Sequence, residues 1–184
     1  MSNIKNEAHV TDDALVNVRR AAIEHRGKWA AAIYKEAEAE GIDLAPIMRK
    51  AIHKVGVEAG EKEKKDFEGK DLNAETYARY FTGKAQSNTF EKKLVSANED
   101  EAVVTLNYCA LLKAWQKMGL SDEECALMCD IAMEGDRGIA EGLGLDFDLE
   151  GSLADGCECC TLHYKTRKYV FTAKAVKQYK KEKT

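Results

Sequence analysis

The sequence predicts an α+β domain: one antiparallel sheet built from two hairpins, with about five helices packed on one face. Three observations predict it. One proline against 13 glycines, with 8% aromatic residues, favours a helix-rich chain over an all-β one. Long stretches carry apolar residues at helical spacing. Two later segments alternate strictly and end in turn signals. The 184 residues suit a single core. We expect a loose, disordered tail over residues 1–10, one domain over 11–165 and a basic tail over 166–184.

Thr11-Asp12-Asp13 offers capping groups for a helix to about Ala39. Leu15, Val18, Ala22, Trp29 and Ile33 share one face, which we expect to be buried, with Trp29 and Trp115 as core anchors. Gly41 ends that helix and Asp43 caps the next. Pro46 sits in its first turn, where a missing N–H costs nothing. Met48, Ile52, Val55 and Ala59 continue its apolar stripe, and the charge run Glu61–Asp66 reads as its solvated end. Asn73 can cap a third helix bearing Tyr77, Tyr80 and Phe81.

Phe90, Lys92 and Leu94 then alternate with their neighbours, Asn98-Glu99-Asp100 reads as a turn, and Val104, Leu106 and Tyr108 share one parity. A hairpin of 89–96 with 102–108 follows. Gly119 stops a helix from about Cys109 to Met118. Ser121-Asp-Glu-Glu124 is a capping box for a longer helix to about Leu143. Leu145–Glu150 alternates, Asp155-Gly156 signals a turn, and Cys157–Tyr164 is expected as the returning strand.

Net charge is −4, from 28 Lys+Arg and 32 Asp+Glu, which gives no general reason to bind nucleic acid. No apolar run approaches the roughly 20 residues of a membrane helix. The first residues lack the apolar stretch of a secretory signal. The expectation is therefore a cytoplasmic protein with no nucleic-acid or membrane partner. The last 20 residues hold eight Lys/Arg and one Glu, read as a solubilising end. All six cysteines (109, 125, 129, 157, 159, 160) follow residue 108, and we read them as reduced thiols. No CxxC pair recurs to make a zinc ribbon.

Chemistry is expected on the helix after Ser121. At about 100° per residue, Cys125, Cys129, Ala132, Asp136, Ala140 and Leu143 fall within an arc of roughly 80°. The thiols fit an apolar face as small hydrophobes. The Asp136 carboxylate does not, since burying it costs several kcal/mol unless it is paired or protonated. It either lines a substrate cavity or pairs with an arginine such as Arg19 or Arg20. Gly135 and Gly138 beside it would admit another backbone or a ligand. In the last strand, Cys160, Leu162 and Tyr164 share the core-facing parity. Cys157, Cys159 and His163 take the other, and they span about 20 Å, too far for one metal ion. A homodimer would cover that second sheet face and its thiols. His9, His25 and His53 read as surface histidines. There is no GxGxxG, P-loop, HExxH or GxSxG.

The run Cys109-Ala-Leu-Leu-Lys-Ala-Trp115-Gln-Lys-Met-Gly119, then Cys129, then Asp136-Arg-Gly-Ile-Ala-Glu-Gly142, then Gly156-Cys-Glu-Cys-Cys160-Thr-Leu162, resembles the L-2-amino-thiazoline-4-carboxylic acid hydrolase family. The resemblance spans roughly residues 15–165. Leu162 stands where an aromatic is common, Leu145-Asp146 where an Asn-Pro-like segment starts the strand, and Cys125, Cys157 and Cys159 look additional. The resemblance implies ring-opening hydrolysis of a small C=N-containing heterocyclic acid, giving a carbamoyl-cysteine from the namesake substrate. It implies a pocket of Cys109, Cys129, Asp136 and Cys160, with a thiolate or Asp136 starting the attack. Arg137 or an N-terminal-helix residue would hold the substrate carboxylate. No organic cofactor is expected. The alternative is a non-enzymatic sensor using the same pocket for a small ligand or for a soft or divalent metal such as zinc.

Overall fold

The computed structural model describes residues 4–84 and 87–168. Five α-helices and a four-stranded antiparallel sheet run in the order α1 (Ala14–Ala39), α2 (Ala45–Lys64), α3 (Ala74–Gly83), β1 (Lys92–Ala97), β2 (Glu101–Leu106), α4 (Ala110–Met118), α5 (Asp122–Leu143), β3 (Leu145–Gly151) and β4 (Cys160–Thr166). Strand order is β1-β2-β4-β3, so two hairpins join through β2 and β4. The helices pack against the sheet, and this is the α+β arrangement the sequence predicts. The basic tail beyond Lys168 lies outside the described residues.

Local chemistry sets the element ends. Asp13 caps α1 by accepting from the Leu15 and Val16 N–H groups. Asp43 accepts from the Ala45 N–H, and Pro46 sits in the first turn of α2. Asn73 with Thr76 and Ser121 with Glu124 close capping boxes on α3 and α5. Gly119 and Gly144 end α4 and α5 at φ of 80° and 84°, where a Cβ would be strained.

Three sequence expectations are corrected. The apolar stripe of α1 faces outward: Val18 is 67% exposed and Trp29 64%. Its buried face is Val16, Arg20, Gly27 and Ala31. Small Gly27 and Ala31 let α1 lie close on α4, where the Trp115 indole donates to the Gly27 carbonyl at 3.1 Å. Second, β4 begins at Cys160 and not Cys157, because a 3-10 turn (Leu153–Asp155) and Gly156 at φ 84° intervene. Strand parity therefore does not apply to Cys157 and Cys159. Third, residues 4–10 pack on the domain. Ile4 and Asn6 are buried, and Asn6 exchanges two hydrogen bonds (2.8 and 2.9 Å) with the Cys109 backbone.

Arg20 is used in this packing. It is 5% exposed, donates to the Val10, Asn88 and Thr89 carbonyls, and pairs with Glu91 at 2.9 Å. Glu91 also accepts from the His9 and Val10 backbone N–H groups and meets His9 Nδ1. Burial works to raise the Glu91 pKa, but these donors outweigh it and hold the carboxyl below its ordinary value.

The outer face of the sheet is polar, with Asp148, Glu150 and Lys165 exposed and His163 between Glu101 (3.2 Å) and Glu150 (2.9 Å). The inner face carries Val104, Leu106, Cys160, Leu162 and Tyr164 into the core.

Helices α2 and α5 approach through glycine. A methyl on Gly56, Gly60, Gly138 or Gly142 would overlap the backbone carbonyl of Gly135, Ile139, His53 or Val57 respectively. His53 ties the pair from outside, reaching Glu134 at 2.9 Å and Glu141 at 3.1 Å.

Candidate functional site

Glycine contact draws part of α2 and α5 together, and beside that contact the helices enclose a cavity of about 610 Å³ against α4 and the sheet. The α2 stripe predicted from sequence, Met48, Ile52, Val55 and Ala59, lines it. The sheet supplies its floor. Lys92, Leu106 and Cys160 stand in one cross-strand row, since Lys92 pairs with Leu106 and Leu106 with Cys160. Exposed Arg26 of α1 and Val55 of α2 mark where it meets solvent.

All four residues selected from the sequence, Cys109, Cys129, Asp136 and Cys160, line this one cavity. Cys109 caps α4, its Sγ accepting from the Leu112 N–H at 3.5 Å. Cys160 Sγ accepts from the Leu153 N–H at 3.4 Å. Cys125 is buried elsewhere, and Cys157 is exposed. Arg137, proposed as a carboxylate anchor, is turned away from the cavity. It pairs with Asp130 at 2.9 Å and Glu134 at 2.7 Å. The basic residues that line the cavity are Arg26 and Lys92, the latter one that sequence reasoning did not select. The signal for Lys92 was its parity with Phe90 and Leu94.

Asp136 is not the partner of Arg20, which is held by Glu91. Among the described residues its carboxylate forms no ion pair. Its side chain is half-buried by area because it faces the cavity, while protein atoms surround it. That burial pushes the carboxyl up to about 6, with Lys92 pulling the other way. Lys92 sits with Nζ 3.3 Å from the centre of the Phe81 ring. Burial pulls its ammonium down to about 8, and the field of Asp136 opposes this. The two therefore sense each other across the cavity without touching.

The thiols differ. Burial raises all of them above the ordinary thiol value, Cys129 to about 12. They are protonated near neutral pH and are poor nucleophiles. Cys129 and Asp136 are separated by about 10 Å along α5, at about 1.5 Å per residue. Lys92 and Cys160 are separated by two strand spacings, again about 10 Å. The Asp136 charge nevertheless acts on all three cavity thiols and adds to burial in keeping them protonated. Among the described residues no group of three or more His, Cys, Asp or Glu side chains is placed to hold a metal ion. No helix among them is long and apolar enough to cross a membrane.

The model of the family described as L-2-amino-thiazoline-4-carboxylic acid hydrolase matches residues 20–164. No curated protein matches the chain. Among solved structures, the chain is similar to a trafficking protein particle complex subunit 3 from Naegleria fowleri, covalently bound to palmitic acid. The TM-score is 0.50 at 11% identity, over 81% of this chain and 99% of that one. At that identity the likeness is one of fold.

Proposed function

The chain belongs to the L-2-amino-thiazoline-4-carboxylic acid hydrolase family, and from that premise we propose that it hydrolyses a small cyclic C=N-containing carboxylic acid with Asp136 as general base. One observation carries this reading: a carboxylate that forms no ion pair among the described residues faces a cavity and is poised near neutral pH. Asp136 takes a proton from water as the water oxygen adds to the C=N carbon, and returns it to the nitrogen that receives the C=N electron pair. The ring carbon–sulfur bond then breaks as the added hydroxyl becomes a carbonyl, and the hydroxyl proton passes to the departing sulfur. Lys92 in the cavity and Arg26 at its mouth supply the positive charge a carboxylate substrate needs. Cys109, Cys129 and Cys160 act as protonated wall residues.

Turnover of 2-amino-thiazoline-4-carboxylate, followed by appearance of a carbamoyl-cysteine, tests this. Asp136→Asn is expected to lower kcat by about a hundredfold to ten-thousandfold, the usual worth of a general base, while Cys129→Ser retains most activity. Equal rates for Asp136→Asn and the parent would refute the assignment.

A second reading, non-enzymatic binding of a small ligand in the same cavity, draws support from the protonated thiols and the apolar walls. Saturable binding of the thiazoline without turnover would favour it.

A further inference from the structure

The cavity is out of proportion to the ring that the family name implies. A single small ring bearing an amino group and a carboxylate displaces about five water volumes, on the order of 150 Å³. The space is about 610 Å³, within the range that encloses a much larger organic ligand. A small ring would leave most of it unfilled, and an unfilled apolar space forfeits dispersion contacts along its whole lining.

The walls say what fills the remainder. Ile52 and Val55 of α2, Leu111 and Trp115 of α4, and Ile131 and Ile139 of α5 are all apolar. Lining residues run from Met48 to Ala59 on α2 and from Met128 to Ile139 on α5, about 16 Å of each helix axis. Asp136 lies near one end of that length. From Asp136 back to Met128 is about 12 Å of helix, and the cavity residues α5 offers along it are apolar or thiol. Lys92, set on the floor within the field of Asp136, supplies an ammonium group that makes no ion pair among the described residues.

We propose that the cavity's ligand is an amphiphilic carboxylate: an acid group held by Lys92, and an aliphatic or aryl body larger than an aminothiazoline, laid along α2 and α5 toward Met48 and Met128. The proposal rests on the hydrolase reading for the acid group and the reacting end of the ligand. The substrate class is then the cyclic C=N acids that carry a sizeable apolar substituent.

Calorimetric titration of the whole chain with straight-chain monocarboxylates, butanoate to dodecanoate, tests it, each compared with the primary alcohol of equal length. Affinity is expected to rise about fourfold per methylene until the apolar length is filled, and then to level off. Each acid should bind its alcohol's site about ten- to a hundredfold more tightly, the worth of a charge-assisted contact. Lys92→Met should erase that acid–alcohol difference, and Lys92→Arg should keep part of it. Ile52→Phe should lower the chain length at which affinity levels off. Affinity that is flat with chain length, or equal for acids and alcohols on the parent chain, overturns the proposal. Thiazoline turnover together with a flat series sinks this proposal alone. A steep series with no turnover of either the bare thiazoline or a thiazoline carboxylate bearing an apolar substituent sinks the hydrolase reading and leaves the ligand class standing.

Discussion

Asp136 shows why a functional side chain can cost its own fold. Its carboxyl ionises near 7 less readily than in an unfolded chain, because burial favours the neutral form. A carboxyl whose folded pKa of about 6 exceeds its unfolded value of about 3.9 loses stability as pH rises between those values. Near neutrality this amounts to about 2–3 kcal/mol. Asp136→Asn should therefore melt higher than the parent at pH 7 while losing turnover, and the two should converge near pH 4, read by thermal melts across pH. The same two groups set the rate profile. Asp136 works only when ionised, so kcat/KM should fall as pH drops through about 6. Lys92 works only when protonated, so the rate should fall again as pH rises through about 8. Asp136 was legible in the sequence because a lone acid stood on an apolar helical stripe. Lys92 was equally visible on the inward parity of its strand. It was passed over because a lysine there reads as a solvated edge residue until the sheet shows what covers it.

At the scale of elements, the α2–α5 pair carries the site. Gly138→Ala must push the two backbones apart where the new methyl meets the His53 carbonyl. It should cost about 1–3 kcal/mol, the range for overpacking. Gly83→Ala, at the end of α3 with open space around it, should instead gain up to about 1 kcal/mol. Chemical denaturation of both variants reads the contrast. The glycines beside Asp136 were legible as a place of close approach. The partner was not, because the matching Gly56 and Gly60 gain meaning only once α2 lies parallel on α5. The error on α1 has a related cause. Periodicity marks an apolar face, but Gly27, Ala31 and Arg20 made the tighter contact on the other side, and the stripe was left outward.

Across the whole molecule, the order of helices and hairpins was readable from caps, glycine stops and alternation, because each of those signals is local. The course of residues 4–10 was not, since its partners Glu91 and Cys109 are distant in sequence and neither has a local signature. Deleting residues 1–10 removes the His9 and Val10 donors from Glu91 and uncovers a buried ion pair. This should destabilise the chain by about 3 kcal/mol, measured as a drop in the denaturation midpoint.

That strand of backbone also gives the cavity an unexpected handle. Asn6 grips the Cys109 peptide from both sides, and Cys109 is part of the cavity wall. A change at Asn6 therefore bears directly on the chamber, through the two hydrogen bonds that fix the backbone of one of its wall residues.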